Sequence, residues 1–211
     1  MSKCKVIYID EDPDDILYFQ EFMDGHFDVE TITIENGSKL DDVVDEILNS
    51  PPDAVVTDFM LNEKATVGFN GQTLIELLQE RNKHLPCFLL TSHAPDALDA
   101  THDARLVQTK AVILGSDDLK SLFRKQISKV IESHKVKLKK AEDEYYELIS
   151  YQPSTLTAHQ RKRVIELDGY LEEHGMSANT IPDEIKDERS IELLTALINQ
   201  VDAILNKSGE Q

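Results

Sequence analysis

Apolar and polar positions follow two rhythms along this chain, and the change falls near Ser116. Before it, short β-branched and aliphatic runs alternate with stretches of helical spacing. Lys5-Val6-Ile7-Tyr8-Ile9 predicts a first strand, and the alternation from Phe27 to Ile34 a second, with Val29, Thr31 and Thr33 set against Glu30, Ile32 and Ile34. Ala54-Val55-Val56-Thr57 is a third, and Pro51-Pro52 forbid a helix just before it. Cys87-Phe88-Leu89-Leu90 is a fourth. The fifth lies within Leu106 to Leu114, in one of two frames: Leu106 to Thr109, or Ala111 to Leu114. Between these runs, Ile16, Leu17, Phe19, Phe22 and Met23 form one helical face, with Gly25 as its stop. Leu40, Val43, Val44, Ile47 and Leu48 form a second face, and Leu74, Ile75, Leu77 and Leu78 a third. A weaker helix covers Asp96 to Asp103. Strands alternating with helices five times predict a doubly wound, five-stranded parallel α/β sheet.

After Ser116 the spacing becomes purely helical. Phe123, Ile127, Val130, His134, Leu138, Ala141, Tyr145 and Leu148 recur every three or four residues, a coiled-coil-like seam. It predicts one helix over 117–151, roughly 50 Å long at 1.5 Å per residue. Thr157-Ala158-His159-Gln160 matches a capping box and opens a helix to His174, with Gly175 at its stop. Ile191, Leu194, Ile198, Val201 and Leu205 predict a last helix over 182–206. The expected organisation is an α/β domain over 1–118, a helical output or dimerisation segment over 119–206 and a tail over 207–211. The helices must bury their stripes on one another or on a second copy of the chain.

Charge narrows the functional classes. The formal net charge is −18, and residues 1–115 hold 8 Lys/Arg against 22 Asp/Glu, while residues 116–211 hold 14 against 18. Such a surface disfavours nucleic acid as a partner. The basic run from Lys120 to Lys140 reads as a solvated helix face, one that can pair with acidic neighbours. Cys4 and Cys87 sit in or beside apolar strands and read as small buried hydrophobes. The seven histidines show no metal-ligand spacing, and there is no phosphate-loop motif. No signal-peptide core and no membrane-length apolar run are found, which predicts a cytoplasmic protein with no membrane partner.

The third strand is almost wholly apolar and ends on one acid, Asp58. That describes a buried strand of a parallel sheet, and ligands bind outside the carboxyl ends of such strands. The fold brings Asp10-Glu11 after strand one, Asp58 after strand three and Thr91 after strand four to the same edge. Carboxylates gathered at one edge repel one another and invite a divalent cation, and oxygen donors suit Mg²⁺. A carboxylate beside Mg²⁺ can attack a phosphoryl group. A hydroxyl and a lysine ammonium can steady the phosphoryl oxygens.

Tyr8-Ile9-Asp10-Glu11-Asp12-Pro13-Asp14-Asp15, Asp53-Ala54-Val55-Val56-Thr57-Asp58-Phe59-Met60-Leu61, Gly68-Phe69-Asn70-Gly71 before a helix, and Phe88-Leu89-Leu90-Thr91-Ser92 occur in that order. Over about residues 3–130 the chain resembles the flavodoxin-like receiver domain of two-component response regulators. The resemblance implies that Asp58 accepts a phosphoryl group from a sensor histidine kinase or a phosphotransfer protein. It implies Asp10 and Glu11 as the acidic metal pair, Met60 as a backbone carbonyl ligand to Mg²⁺, and Thr91 as the switch hydroxyl. The lysine after strand five is Lys110 in the first frame; in the second, Gly115 takes its place. The chain departs from the family at Glu11, where Asp is commoner, at Asn62, where Pro is usual, and in a longer loop after Asp58. Ala111 follows Lys110 where Pro is usual, and a valine, Val107 or Val112, takes the switch aromatic's position. The reading is a binding switch and not a dedicated enzyme, with an unidentified protein output partner and a homodimer through the helices. Its alternatives are a pseudo-receiver scaffold that is never phosphorylated and, with less support, a nucleic-acid-binding regulator. A phosphatase of the haloacid-dehalogenase type fits poorly, because Pro13-Asp14 stands where that family needs other residues.

Overall fold

The computed structural model describes residues 3–101 and 103–174. By compactness the chain divides into two units, 1–134 and 135–211. The predicted last helix over 182–206, the tail and Gly175 lie outside the described residues.

The first unit is built on five parallel strands: β1 (Lys5–Asp10), β2 (Asp28–Thr33), β3 (Ala54–Asp58), β4 (Cys87–Thr91) and β5 (Val107–Thr109). Their order in the sheet is β2-β1-β3-β4-β5, with Val6 opposite Ala54, Val55 opposite Cys87 and Thr91 opposite Thr109. Helices α1 (Pro13–Met23), α2 (Leu40–Asn49), α3 (Gly71–Arg81) and α4 (Ala94–Ala100) connect successive strands. The side-chain period of two divides each central strand between two cores. Ile7, Ile9, Val55 and Leu89 pack with Val44 and Ile47 of α2 and with Leu74, Ile75 and Leu78 of α3. Val6, Tyr8, Val56, Phe88 and Leu90 face the other way, onto Phe19, Phe22 and Met23 of α1. Both faces are covered, so the central strands are apolar throughout, as a parallel sheet requires. β2 is an edge strand, so its alternation is only half-buried: Val29 joins the second core and Ile32 the first.

The two frames for the fifth strand resolve in favour of the first. β5 holds three residues, and Ala111–Leu114 form a short helix, α5. Lys110 therefore follows the strand directly. Helix α4 begins earlier than its apolar spacing suggests, because Pro95 has the fixed φ of a first turn.

Helix α6 (Asp117–Ile149) starts at the expected place. Within the first unit, Phe123, Ile127 and Ile131 join the core of Val6, Tyr8 and Phe88. The compact division at 134/135 therefore falls inside α6. This packing also corrects the seam: Ile131 is buried at 1% exposure while Val130 is 38% exposed. A helix lying on a sheet at 3.6 residues per turn keeps i, i+4, i+8 on one face over this span.

In the second unit, α6 pairs with α7 (Ala158–Glu172) around Ala141, Tyr145, Leu156, Val164, Leu167 and Leu171. The capping box forms in full: the Gln160 N–H donates to Thr157 Oγ1 at 3.3 Å, and the Thr157 N–H donates to Gln160 Oε1 at 2.9 Å. Arg163 grips Glu144 with two bonds of 2.7 and 2.8 Å. Inside this hairpin the Tyr145 hydroxyl meets Asp168 Oδ1 at 3.1 Å. Among the described residues no helix is long and apolar enough to cross a membrane.

Candidate functional site at the carboxyl edge of the sheet

β1, β3 and β4 end together, so Asp10, Asp58 and Thr91 share one edge as their last residues. All three side chains are buried, at 0, 4 and 1% exposure. Asp58 is held on both oxygens. Lys110 Nζ lies 2.6 Å from Oδ1, and the Met60 N–H donates to Oδ2 at 2.5 Å. Burial raises the Asp58 carboxyl above its ordinary range, and the Lys110 ammonium works against that rise.

Lys110 is the hub of the cluster. Its ammonium also pairs with Asp10 Oδ2 at 3.1 Å and with Asp15 Oδ2, from α1, at 2.5 Å. Burial alone pulls its affinity for a proton down, but Asp58 and Asp10 outweigh burial and hold it well above the ordinary lysine range. The residue is positioned by its own backbone: the Lys110 N–H donates to the Thr91 carbonyl at 2.9 Å, continuing the β4–β5 ladder. The Thr91 hydroxyl oxygen accepts the His93 N–H at 2.8 Å, which fixes its rotamer and leaves its proton to donate elsewhere.

Glu11 differs from its neighbours. One of its carboxylate oxygens, Oε2, is buried and has no hydrogen-bond partner. Burial, and then repulsion from Asp10, pushes its carboxyl up to about 7. The donors therefore suit a hard divalent cation. Asp10, Glu11 and Asp58 supply only oxygen, and the orphaned Glu11 oxygen is the kind of atom a cation would satisfy. Among the described residues, however, no three acid, histidine or cysteine side chains form a ready cation cluster. Asp10 and Asp58 converge on Lys110 instead. The Met60 carbonyl already accepts the Glu63 N–H at 3.0 Å, and it is the Met60 N–H that touches Asp58.

Gly71 explains how the next helix approaches so closely. A Cβ there would lie 1.9 Å from the Asp58 carbonyl oxygen, and the Gly71 N–H donates to the Phe59 carbonyl at 2.9 Å. Asn70 caps α3 by accepting the Thr73 N–H at 2.9 Å. The long loop between β3 and α3 is tied down. Thr66 exchanges bonds with the β2–α2 turn, to Asn36 Oδ1 at 2.7 Å and from the Gly37 N–H at 3.1 Å. Lys64 pairs with Asp12, the N-cap of α1, at the rim of the acidic edge. Glu63 lies 3.4 Å from His93.

The order β2-β1-β3-β4-β5, with every strand parallel and the acids at the carboxyl edge beside β1 and β3, is the flavodoxin-like arrangement found in receivers. The first unit has the receiver fold. No protein-family model and no curated relative matches the sequence. Among solved structures, the chain is similar to an adenylate cyclase from Rhodopirellula baltica, at 15% identity over 67% of this chain and 96% of that one, with a TM-score of 0.50. A signal receiver domain of an HD domain-containing protein from Pseudomonas fluorescens Pf-5 matches at 12% identity over 65% and 93%, with a TM-score of 0.49. A response regulator receiver protein from Sinorhizobium medicae WSM419 matches at 15% over 63% and 97%, with a TM-score of 0.47. At such identities the likeness concerns the fold.

Sequence reasoning named Asp10, Glu11, Asp58, Met60, Thr91 and Lys110, and all six lie at this edge of the receiver unit. It missed Tyr8, whose hydroxyl donates to Asp10 Oδ2, and Asp15, the third carboxylate on Lys110. Asp15 carries one signal, an acid in the first turn of α1, a place that also suits a solvated helix-start residue.

Proposed function

We propose that this chain is a response regulator in which Asp58 accepts a phosphoryl group from the phosphohistidine of a sensor kinase or phosphotransfer protein. The observation that carries the reading is the buried Asp58 carboxylate bound by Lys110 at 2.6 Å, at an edge shared with Asp10 and Thr91. An Asp58 oxygen attacks phosphorus as the phosphorus–nitrogen bond of the donor breaks. Asp10, Glu11, Asp58 and the Met60 carbonyl would hold Mg²⁺, which when bound offsets the negative charge of the incoming group. Lys110 moves from the carboxylate to a phosphoryl oxygen, and the Thr91 hydroxyl donates to another. The residue at the usual aromatic switch position is Val107, so the change at Thr91 passes through packing around β4 and β5 and not through an aromatic side chain. The helices after residue 119 carry the output, by contact with a protein partner or with a second copy. This makes the chain a binding switch and not a dedicated enzyme.

The test is intact-mass measurement after incubation with acetyl phosphate and Mg²⁺. Wild-type protein should gain the mass of one phosphoryl group, and Asp58→Asn should gain none. Wild-type protein that gains nothing under these conditions would place the chain with scaffolds that keep the fold and have lost the chemistry. Molar mass in solution, with and without beryllofluoride, tests whether the output is a dimer.

A further inference from the structure

Tyr8 is a buried polar side chain for which the phosphoacceptor reading has no use. It is fully buried in β1, and its ring stacks on Phe19 of α1 with centroids 4.0 Å apart and planes 9° from parallel. Strand residues two apart project to the same face, which sets the Tyr8 ring beneath the Asp10 carboxylate. Its hydroxyl donates to Asp10 Oδ2 at 2.5 Å, a short bond between two residues that are both 0% exposed. A phenylalanine would stack on Phe19 in the same way, so the hydroxyl is the part that needs explaining.

The partners of Asp10 supply the explanation. Oδ2 accepts Tyr8 and also faces Lys110 Nζ at 3.1 Å, while Oδ1 accepts the Asp12 N–H at 2.9 Å. A carboxylate offers two acceptor directions on each oxygen. Oδ2 is therefore filled by these two donors, and the Glu11 carboxyl is the further group that meets the Asp10 side chain. Next along the chain, Glu11 Oε2 is buried with no hydrogen-bond partner. The two acids of the pair thus differ: Asp10 is held by three donors, while Glu11 keeps one buried oxygen without a hydrogen-bond partner.

We propose that Tyr8 is a positioning residue for the cation site: its hydroxyl locks the Asp10 carboxylate and shares Oδ2 with Lys110. The inference rests on the phosphoacceptor reading and goes beyond it. Without the hydroxyl, Oδ2 has Lys110 as its remaining donor. The ammonium is then drawn toward Asp10 and away from Asp58, and the carboxylate is free to turn. Groups that orient a metal ligand from behind act in this way, and their loss typically weakens metal binding by one to two orders of magnitude.

The experiment titrates Mg²⁺ into the full chain by calorimetry, without a phosphodonor, for wild type, Tyr8→Phe and Tyr8→Leu. Phosphorylation by acetyl phosphate at saturating Mg²⁺ is followed in parallel by intact mass. Tyr8→Phe should bind Mg²⁺ about tenfold more weakly and should phosphorylate more slowly even when Mg²⁺ saturates. Tyr8→Leu should show the same loss of affinity, because it lacks the same hydroxyl, together with a lower thermal midpoint from the lost stacking. Wild-type protein with ring-labelled tyrosine gives a readout independent of any variant's folding: Mg²⁺ should shift the Tyr8 ring signals and leave those of Tyr145 unmoved. Tyr8→Phe with unchanged Mg²⁺ affinity, or Tyr8 signals indifferent to Mg²⁺, would overturn the positioning role while wild type still binds and is phosphorylated. Wild type that neither binds Mg²⁺ nor gains a phosphoryl group would overturn the phosphoacceptor reading, and the role of Tyr8 with it.

Discussion

At Gly71 the chain leaves no room for a side chain. A Cβ would meet the Asp58 carbonyl oxygen at 1.9 Å and its carbon at 2.9 Å, and backbone does not yield as a flexible side chain does. Gly71→Ala should therefore destabilise the receiver unit by about 1–3 kcal/mol, the usual range for overpacking, and should slow phosphorylation by moving Asp58. Gly68→Ala is the control, since a Cβ there meets nothing within 4 Å. Urea melts and acetyl-phosphate labelling of both variants check this. The residues of the site were unequally visible in the sequence. Asp10, Asp58 and Thr91 could be placed because each ends an apolar strand, and a strand end fixes where a side chain emerges. Tyr8 could not, since a tyrosine inside an apolar run looks like core and the pattern does not say what its hydroxyl meets. Asp15 is paired with a residue 95 positions away, a distance over which local pattern carries no information.

Among the elements, β5 and α6 show where periodicity fails and why. The apolar run from Leu106 to Leu114 is too short to separate strand from helix by spacing. What decides it is tertiary: the Thr91 carbonyl accepts the Lys110 N–H, and the chain then turns into α5. In α6 a heptad-like seam through Val130 competes with a sheet-facing stripe through Ile131, and the sheet wins because it offers Val6, Tyr8 and Phe88 as partners. Ile131→Ala should cost about 2–5 kcal/mol, while Val130→Ala should stay within about 0.5 kcal/mol. Chemical denaturation of the two variants side by side distinguishes the stripes. A cost concentrated at Val130 would restore the coiled-coil phase.

On the scale of the whole molecule, each unit has its own core, and the buried polar groups of each answer to different conditions. In the helical unit, burial and then Asp168 push the Tyr145 phenol up to about 12, with Tyr146 and Glu172 adding to the rise. The unfolded phenol titrates near 10. The folded state thus holds its proton more tightly, so this contribution is intact below about pH 10 and is lost as pH climbs toward about 12. The helical unit of wild type should lose stability over that window more steeply than Tyr145→Phe, as read by thermal melts followed by circular dichroism. The sheet's two margins have a consequence of another kind. β2 presents the exposed acids Asp28 and Glu30 along one side, and β5 is only three residues long on the other. Unpaired strand edges are where chains recruit each other into extended β-assemblies, and short or charged edges make poor templates. The receiver unit is in this way guarded against edge-to-edge aggregation by the same abrupt end of β5 that delivers Lys110 to Asp58.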